Sequence, residues 1–366
     1  VSAHSLYAHV PFCASICAYC DFPKLIYSDE WAFSYIDEVL KELKERGAAP
    51  GSFRTVYVGG GTPTSLPAPL LKRLLLGLRP YLAEGPYEWT VEANPESATA
   101  EKLRVMHEVG VNRISFGVES SSPRLLSMMG REHTFQEAVE AIKRAREAGF
   151  TNINADMIYA LPGETLDEVR DDVEAFLSLH VPHLSAYSLI VGEGTRFHND
   201  GVKEAGDATQ ADQYELILKA LREAGYDRYE VSNFAIPGYQ SEHNLTYWRD
   251  EEYLGVGLGA AGYLDGVRYS NTRSITSYLK GAREAEREKV DDRSALEYYF
   301  TTNLRLEEGF SLEDFEARFG FPFMSRYGEK ADGLVRRGLL DVSGGRVRPT
   351  DQGILLLDMI LLELFD

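Results

Sequence analysis

A chain of 366 residues, 44% hydrophobic and 26% charged, has the composition of a soluble globular protein and is long enough for a barrel-sized core with appendages. Its net charge of −19 repels nucleic-acid phosphates over most of the surface, so DNA and RNA are set aside as partners. No run reaches the ~18 apolar residues that span a bilayer, and no basic-then-apolar secretory signal opens the chain, so the cytosol is the expected location.

In the first half, short apolar or β-branched runs alternate with segments of helical period. The strand candidates are Leu6–Phe12, Thr55–Val58, Glu88–Glu92, Arg113–Val118, Asn152–Tyr159 and His183–Ile190. Helical segments follow at Glu30–Arg46, Pro69–Leu82, Ala100–Val109, Phe135–Ala148 and Leu166–Leu179, with apolar residues at steps of three and four. Such alternation predicts parallel strands joined by right-handed crossovers. An α/β fold of the partial (β/α)6 barrel type is expected, and periodicity alone leaves a doubly wound open sheet as the alternative. Beyond Ile190 the pattern changes. A helix is expected at Ala208–Ala224, a strand at Tyr226–Phe234, a tight glycine-spaced segment at Tyr253–Asp265 and a charged helix at Ser277–Glu288. From Asp292, helices at Ala295–Leu304, Leu312–Phe319 and Ser325–Arg337 precede a hairpin turning at Gly344-Gly345, which reads as a winged-helix-like α+β unit. The expected division is 1–200 for the barrel core, 201–290 for an extension and 291–366 for the terminal domain.

Special residues gather where strands end: Cys13, then Gly59-Gly60-Gly61-Thr62-Pro63, Glu92 with Asn94, and Glu119, while Asp156 lies within its strand. In α/β barrels the carboxyl ends of the strands carry the reaction site. The three cysteines of the chain are Cys13, Cys17 and Cys20. A clustered, odd-numbered set is not a disulfide framework. Their thiolates can hold three corners of an iron–sulfur cube, leaving one iron for another ligand; a zinc site completed by His9 is the alternative. Glu92 suits a ribose or ammonium partner at a barrel mouth, or else forms a surface salt bridge. A side chain at Gly60 is expected to enter a ligand's space.

The segment Tyr7-Ala8-His9-Val10-Pro11-Phe12-Cys13, with Cys17 and Tyr19-Cys20-Asp21-Phe22, resembles the signature of the radical S-adenosylmethionine (SAM) superfamily. That resemblance implies a [4Fe–4S] cluster on Cys13, Cys17 and Cys20. It also implies SAM on the open iron, with reductive cleavage to methionine and a 5′-deoxyadenosyl radical. The residues that it places around SAM are Tyr7, Tyr19, Gly60, Gly61, Thr62, Glu92, Glu119, Arg131 and Asp156. The resemblance narrows to the branch holding oxygen-independent coproporphyrinogen III oxidase and the HemW haem chaperones. It is carried by Val56–Thr64, Glu92–Pro95, Asn112–Ser120, Ile158–Thr165, Tyr229–Ala235, His243-Asn244-Leu245-Thr246-Tyr247-Trp248 and Asn303–Gly309. Phe22 stands where the oxidase has a further cysteine, and twelve residues precede Cys13 where the oxidase has a substrate-binding segment.

The chaperone side of the branch is therefore favoured. It implies haem as cargo on His243, Asn244 and Tyr247, an electron donor such as flavodoxin or ferredoxin, and a recipient haemoprotein at the membrane, where a peripheral location would follow. Ser241-Glu242 stand where the motif often has a flanking cysteine or basic residue. From the residues alone, His243 reads as a hydrogen-bonded structural residue, and it is the resemblance that turns it towards haem. Coproporphyrinogen oxidation is the competing activity, and a zinc- or cluster-stabilised scaffold without SAM chemistry is the reading from another class.

Overall fold

The protein is described here from a computed structural model, over residues 3–365. Six parallel strands, β1 (Ser5–Val10), β2 (Thr55–Gly60), β3 (Glu88–Ala93), β4 (Arg113–Glu119), β5 (Asn152–Tyr159) and β6 (His183–Ser188), lie side by side in chain order. A doubly wound sheet would reverse direction at a switch point; sequential order is that of a barrel, here left open. Beside β6 runs antiparallel β8 (Asn233–Ala235), with β7 (Asp227–Arg228) at the edge. On the other side β9 (Leu254–Val256) adds to β1 in parallel.

Side chains alternate across each strand, and the two faces differ in chemistry. Leu6, Ala8, Val56, Val58, Trp89, Val91, Ile114 and Phe116 face the helices and are fully buried. The residues between them, including Tyr7, His9, Tyr57, Glu92, Ser115 and Asp156, face the inside. Barrels are ordinarily filled by layers of branched apolar residues; a polar interior leaves hydrogen-bonding groups for a ligand. The crossover helices are fixed at their starts. Thr134 with Glu137, and Thr165 with Glu168, form capping boxes before Phe135–Glu147 and Leu166–Ser178, each satisfying amide groups left open at a helix start.

Three expectations change. Pro11 has no amide to donate, so the first strand stops at Val10, and Phe12–Cys13 forms its own short ladder with Leu25–Ile26. The stretch Tyr226–Phe234 divides into β7 and β8, with Glu230 accepting from the Ser232 amide (3.1 Å) in the turn between them. Of the expected charged helix only Ser277–Leu279 is helical, as the end of a short helix Ile275–Leu279; Glu284–Lys289 is a strand pairing with Val267–Asn271. All six residues of that strand are exposed. With no apolar stripe to bury, a helix there gains nothing from packing, and a charged edge strand is protected against unwanted pairing.

From Asp292 the chain packs around a second core containing Phe300, Phe310, Phe315, Phe323, Leu334 and Ile360. Helices Asp292–Asn303, Leu312–Phe319 and Phe323–Arg336 and a three-stranded sheet (Phe310–Ser311, Leu340–Ser343, Arg346–Pro349) make the winged-helix-like arrangement. No helix among the described residues is long and apolar enough to cross a membrane.

Candidate cofactor site

The three cysteines lie just past the carboxyl end of β1, on a loop held by its neighbours. The Ala18 amide donates to the Met129 carbonyl (2.8 Å), and the Ala18 carbonyl accepts from the Phe197 amide (2.9 Å). All three thiols are free, Cys13 buried and Cys17 and Cys20 half-buried. Two polar groups point at sulfur: Arg131 Nη1 at Cys17 Sγ (3.4 Å) and Thr62 Oγ1 at Cys13 Sγ (3.9 Å). Lys24 donates to the Cys20 carbonyl. Burial pushes the Cys13 thiol up to about 11 and raises Cys20 as well, so metal binding must displace protons held at neutral pH. The zinc alternative needs His9, whose nitrogens are both engaged: Nε2 donates to the Pro23 carbonyl (2.7 Å) and Nδ1 is bonded to the Tyr7 hydroxyl (2.9 Å). Three thiols with donors aimed at sulfur, and a His9 already engaged within the fold, fit a cube with one open corner.

The glycine run that ends β2 lies against this loop. Gly60 has φ +116°, and a Cβ there would strike the His9 ring; one on Gly61 would lie 2.7 Å from the Pro11 carbonyl carbon. Gly60→Val would therefore disturb the turn itself, which corrects the expectation that its side chain would enter ligand space. The Gly60 amide and the Tyr57 hydroxyl donate to the two Glu92 oxygens at 2.9 and 2.8 Å. Glu92 makes no salt bridge with a described residue. Burial pushes its carboxyl up to about 7, despite the Gly60 and Tyr57 hydrogen bonds.

Arg131 ties the next two strands together. Its Nη2 donates to the Gly117 carbonyl (2.5 Å) and Asn94 Oδ1 (3.0 Å), and Nη1 lies 3.7 Å from Glu119. Glu119 accepts from the Tyr19 hydroxyl (3.0 Å) and is held at φ 69°, a costly backbone setting for a non-glycine residue and one typical of functional sites. Asn94 Nδ2 donates to Thr62 Oγ1 (3.3 Å). Asp156 accepts from Ser115 Oγ (3.1 Å) and Asn154 Nδ2 (2.8 Å), and burial raises its carboxyl too. Tyr19, Gly60, Gly61, Thr62, Glu92, Glu119, Arg131 and Asp156 thus share one end of the barrel with the cysteines, and Tyr7 lies a layer below.

His243, Asn244 and Tyr247 lie elsewhere. They belong to the helix Glu242–Trp248, capped by Ser241. Glu88, the first residue of β3, accepts from Ser241 Oγ (3.2 Å) and the amides of Glu242 and His243 (3.0 Å each). The helix therefore closes the amino-terminal end of the barrel, opposite the cysteines. His243 is fully buried. Thr55 Oγ1 donates to Ser5 Oγ (2.8 Å), so it accepts from His243 Nδ1 (2.8 Å). That tautomer leaves the Nε2 lone pair to the Tyr247 hydroxyl (2.7 Å). Burial lowers the ring's pKa to about 3. Iron can reach Nε2 only if Tyr247 gives way. Asn244 is half-buried, its amide capped by Ser241 Oγ (3.3 Å).

Tyr57 was missed from sequence. It stacks on His243 (5.2 Å between centroids) while donating to Glu92, and so connects the two ends. The signal was present in the two-residue alternation Thr55, Tyr57, Gly59, which puts all three on the inner face.

Residues 7–176 match the Radical SAM superfamily profile and residues 296–356 the HemN C-terminal domain. The chain is 41% identical over 358 residues to a protein of Lactococcus lactis described as heme chaperone HemW, covering 96% of this chain and 94% of that one. The proteins of the same description from Bacillus subtilis and Escherichia coli are 36% identical (96% of each chain) and 35% identical (99% and 97%). Among solved structures, coproporphyrinogen III oxidase (HemN) from Escherichia coli superposes with a TM-score of 0.85 at 22% identity, over 98% of this chain and 89% of that one. At that identity the likeness shows the fold alone.

Proposed function

The chain belongs to the radical SAM superfamily, in the family of the haem chaperone HemW, and from that premise we propose that it carries haem and passes it to a haemoprotein at the membrane. The observation that carries this reading is similarity from end to end, with 94–97% of three relatives described as haem chaperones matched. Phe22, in the position where the oxidase has its extra cysteine, is 60% exposed and offers no sulfur, which favours the carrier over coproporphyrinogen oxidation. Anaerobic incubation of the iron-reconstituted protein with SAM, reductant and coproporphyrinogen III is expected to give no protoporphyrinogen. Catalytic formation of that product would replace the carrier by the oxidase.

In this reading Cys13, Cys17 and Cys20 hold the cluster. Bound together, cluster and SAM supply one-electron reductive cleavage of the sulfonium. The chain's own part is positioning. Arg131 holds Glu119 and Asn94 in place, and the inward carboxyls of Glu92, Glu119 and Asp156 offer acceptors to ribose hydroxyls or to the cationic end of SAM. Glu92 gives this a pH signature. Its carboxyl, at about 7, is largely protonated below neutrality, and the ionised form attracts the sulfonium. SAM affinity should rise several-fold between pH ~6 and ~8, and Glu92→Gln should flatten that rise in calorimetric titrations. The same carboxyl binds a proton on folding, so its contribution to stability is lost as pH rises from the unfolded carboxylate value through about 7. An unchanged pH slope in the variant removes Glu92 from the site.

His243, Asn244 and Tyr247 as the haem element require the closing helix to open. If haem iron binds His243 Nε2, His243→Ala shifts the Soret band of the haem complex and leaves the iron–sulfur spectrum intact. The buried network by itself predicts only a lower melting temperature in the haem-free protein, since Thr55 and Tyr247 each lose a partner at a cost of about 1–3 kcal/mol. An unchanged Soret band with unchanged haem affinity takes His243 out of the haem site.

A further inference from the structure

The end of β4 departs from regular strand. Its pairing with β5 shifts register between Gly117 and Glu119, Glu119 stands at φ 69°, and the Ser120 amide turns back to the Val118 carbonyl (2.9 Å). A non-glycine residue keeps such a backbone only where its surroundings over-determine it. Arg131 and Tyr19 hold the Glu119 side chain, but neither holds the two residues that follow it.

Those two residues are held by Asp172, from the middle of the crossover helix Leu166–Ser178. One carboxylate oxygen accepts from Ser120 Oγ (2.6 Å). The other accepts from the Ser121 amide (2.6 Å) and from the Ser121 hydroxyl. The Ser122 amide in turn donates to Ser120 Oγ (3.0 Å), and Ser122 caps the helix Pro123–Met129. Asp172 is buried and forms no salt bridge with a described residue. Arg124 pairs instead with Glu168, one turn earlier on the same helix (2.6 Å). Burial raises the Asp172 carboxyl, although the bonds from Ser120 and Ser121 pull the other way. A buried acid without a cation is costly unless its lone pairs are filled, and the donors that fill these lie within two residues of Glu119. Asp172 hydrogen-bonds to no cysteine and to none of the residues assigned to SAM.

We propose that Asp172 is a positioning residue for SAM: through Ser120 and Ser121 it fixes the left-handed turn that sets the Glu119 carboxylate at the barrel mouth. The inference rests on the SAM reading of Glu119 given above. Arg131 and Tyr19 fix where the carboxylate ends, and Asp172 fixes the backbone from which it starts. Without Asp172 the Glu119 backbone can relax toward the negative φ that non-glycine residues prefer, and the carboxylate then leaves Arg131 and Tyr19. A ligand would have to restore that geometry on binding, at the expense of affinity.

The test is calorimetric titration of the iron-reconstituted protein with SAM. Asp172→Ala should keep its cluster and weaken SAM binding tenfold or more. Asp172→Asn retains an acceptor for the Ser121 amide and should recover most of that affinity. In a Glu119→Gln background, itself weakened, Asp172→Ala should cost less than twofold further, because residues that act through one another do not add. The electron paramagnetic resonance signal of the reduced cluster gives a second readout. SAM at a concentration that saturates the parent should shift that signal in the parent and in Asp172→Asn, and leave it largely unshifted in Asp172→Ala. If Asp172→Ala does not fold, Ser121→Ala removes one hydroxyl and carries the same prediction at smaller size, with its loss of affinity again vanishing in Glu119→Gln. A lowered melting temperature with parental SAM affinity would overturn the proposal and leave Asp172 as a strut. Equal losses of affinity in the two backgrounds would also overturn it. Parental SAM affinity in Glu119→Gln would instead overturn the SAM reading of Glu119, and the proposal with it.

Discussion

Replacing any one of Cys13, Cys17 and Cys20 by alanine is expected to abolish the [4Fe–4S] cluster, with iron and sulfide falling to background after anaerobic reconstitution. The three thiols are the cysteines of this chain, so no other thiolate in it can move in. His9 cannot substitute, because both its nitrogens are bound within the fold. The loop itself should survive each change. Its anchors are the backbone bonds of Ala18 to Met129 and Phe197 and the short ladder of Phe12–Cys13 with Leu25–Ile26, none of which uses a sulfur atom. Near-parental melting of the metal-free variants, with no visible absorption after reconstitution, is the expected pair of results. A full complement of iron and sulfide in any one variant would show that its thiol is not a ligand.

Arg131→Met should have the next largest effect. The guanidinium is almost fully enclosed, and it serves Gly117, Asn94, Glu119 and Cys17 at once. Methionine fills much of the same volume and leaves Glu119 as a buried carboxylate without its cation. Breaking one side of a buried pair costs about 3–5 kcal/mol, so the melting temperature should drop clearly. SAM binding should fall below detection, because Glu119 and Asn94 lose the group that orients them. Arg131→Lys keeps the charge but not the planar fork, and should regain part of the stability with little of the SAM affinity. Parental SAM affinity in Arg131→Met would mean that the arginine is a strut and not part of the binding site.

The cysteine loop and the strand-end carboxylates were legible because their signals are local. A thiol spacing, a glycine run and a charged residue at the end of an apolar strand each occupy a few residues, and barrel geometry brings such ends together without further information. The role of Glu242–Trp248 was not legible in this way. Its seven residues are too few to reveal a helical pattern in sequence, and its position under the barrel depends on Glu88, Thr55 and Ser5, which lie far away in sequence. Nothing local says that His243 is enclosed. The strand Glu284–Lys289 was misread because its charges suit an exposed helix as well as an edge strand. The partner strand Val267–Asn271 decides between them, and such pairing is non-local. Tyr57 shows the opposite case: its face followed from simple alternation, but its two partners come from β3 and from the closing helix.

The haem-carrier function is tested most directly by anaerobic titration of the iron-reconstituted protein with haem, following the Soret band and the iron–sulfur absorption together. The prediction is a saturable, equimolar haem complex that keeps its cluster and gives up haem to an apo-haemoprotein. A protein that holds its cluster and binds SAM but forms no saturable haem complex would contradict it.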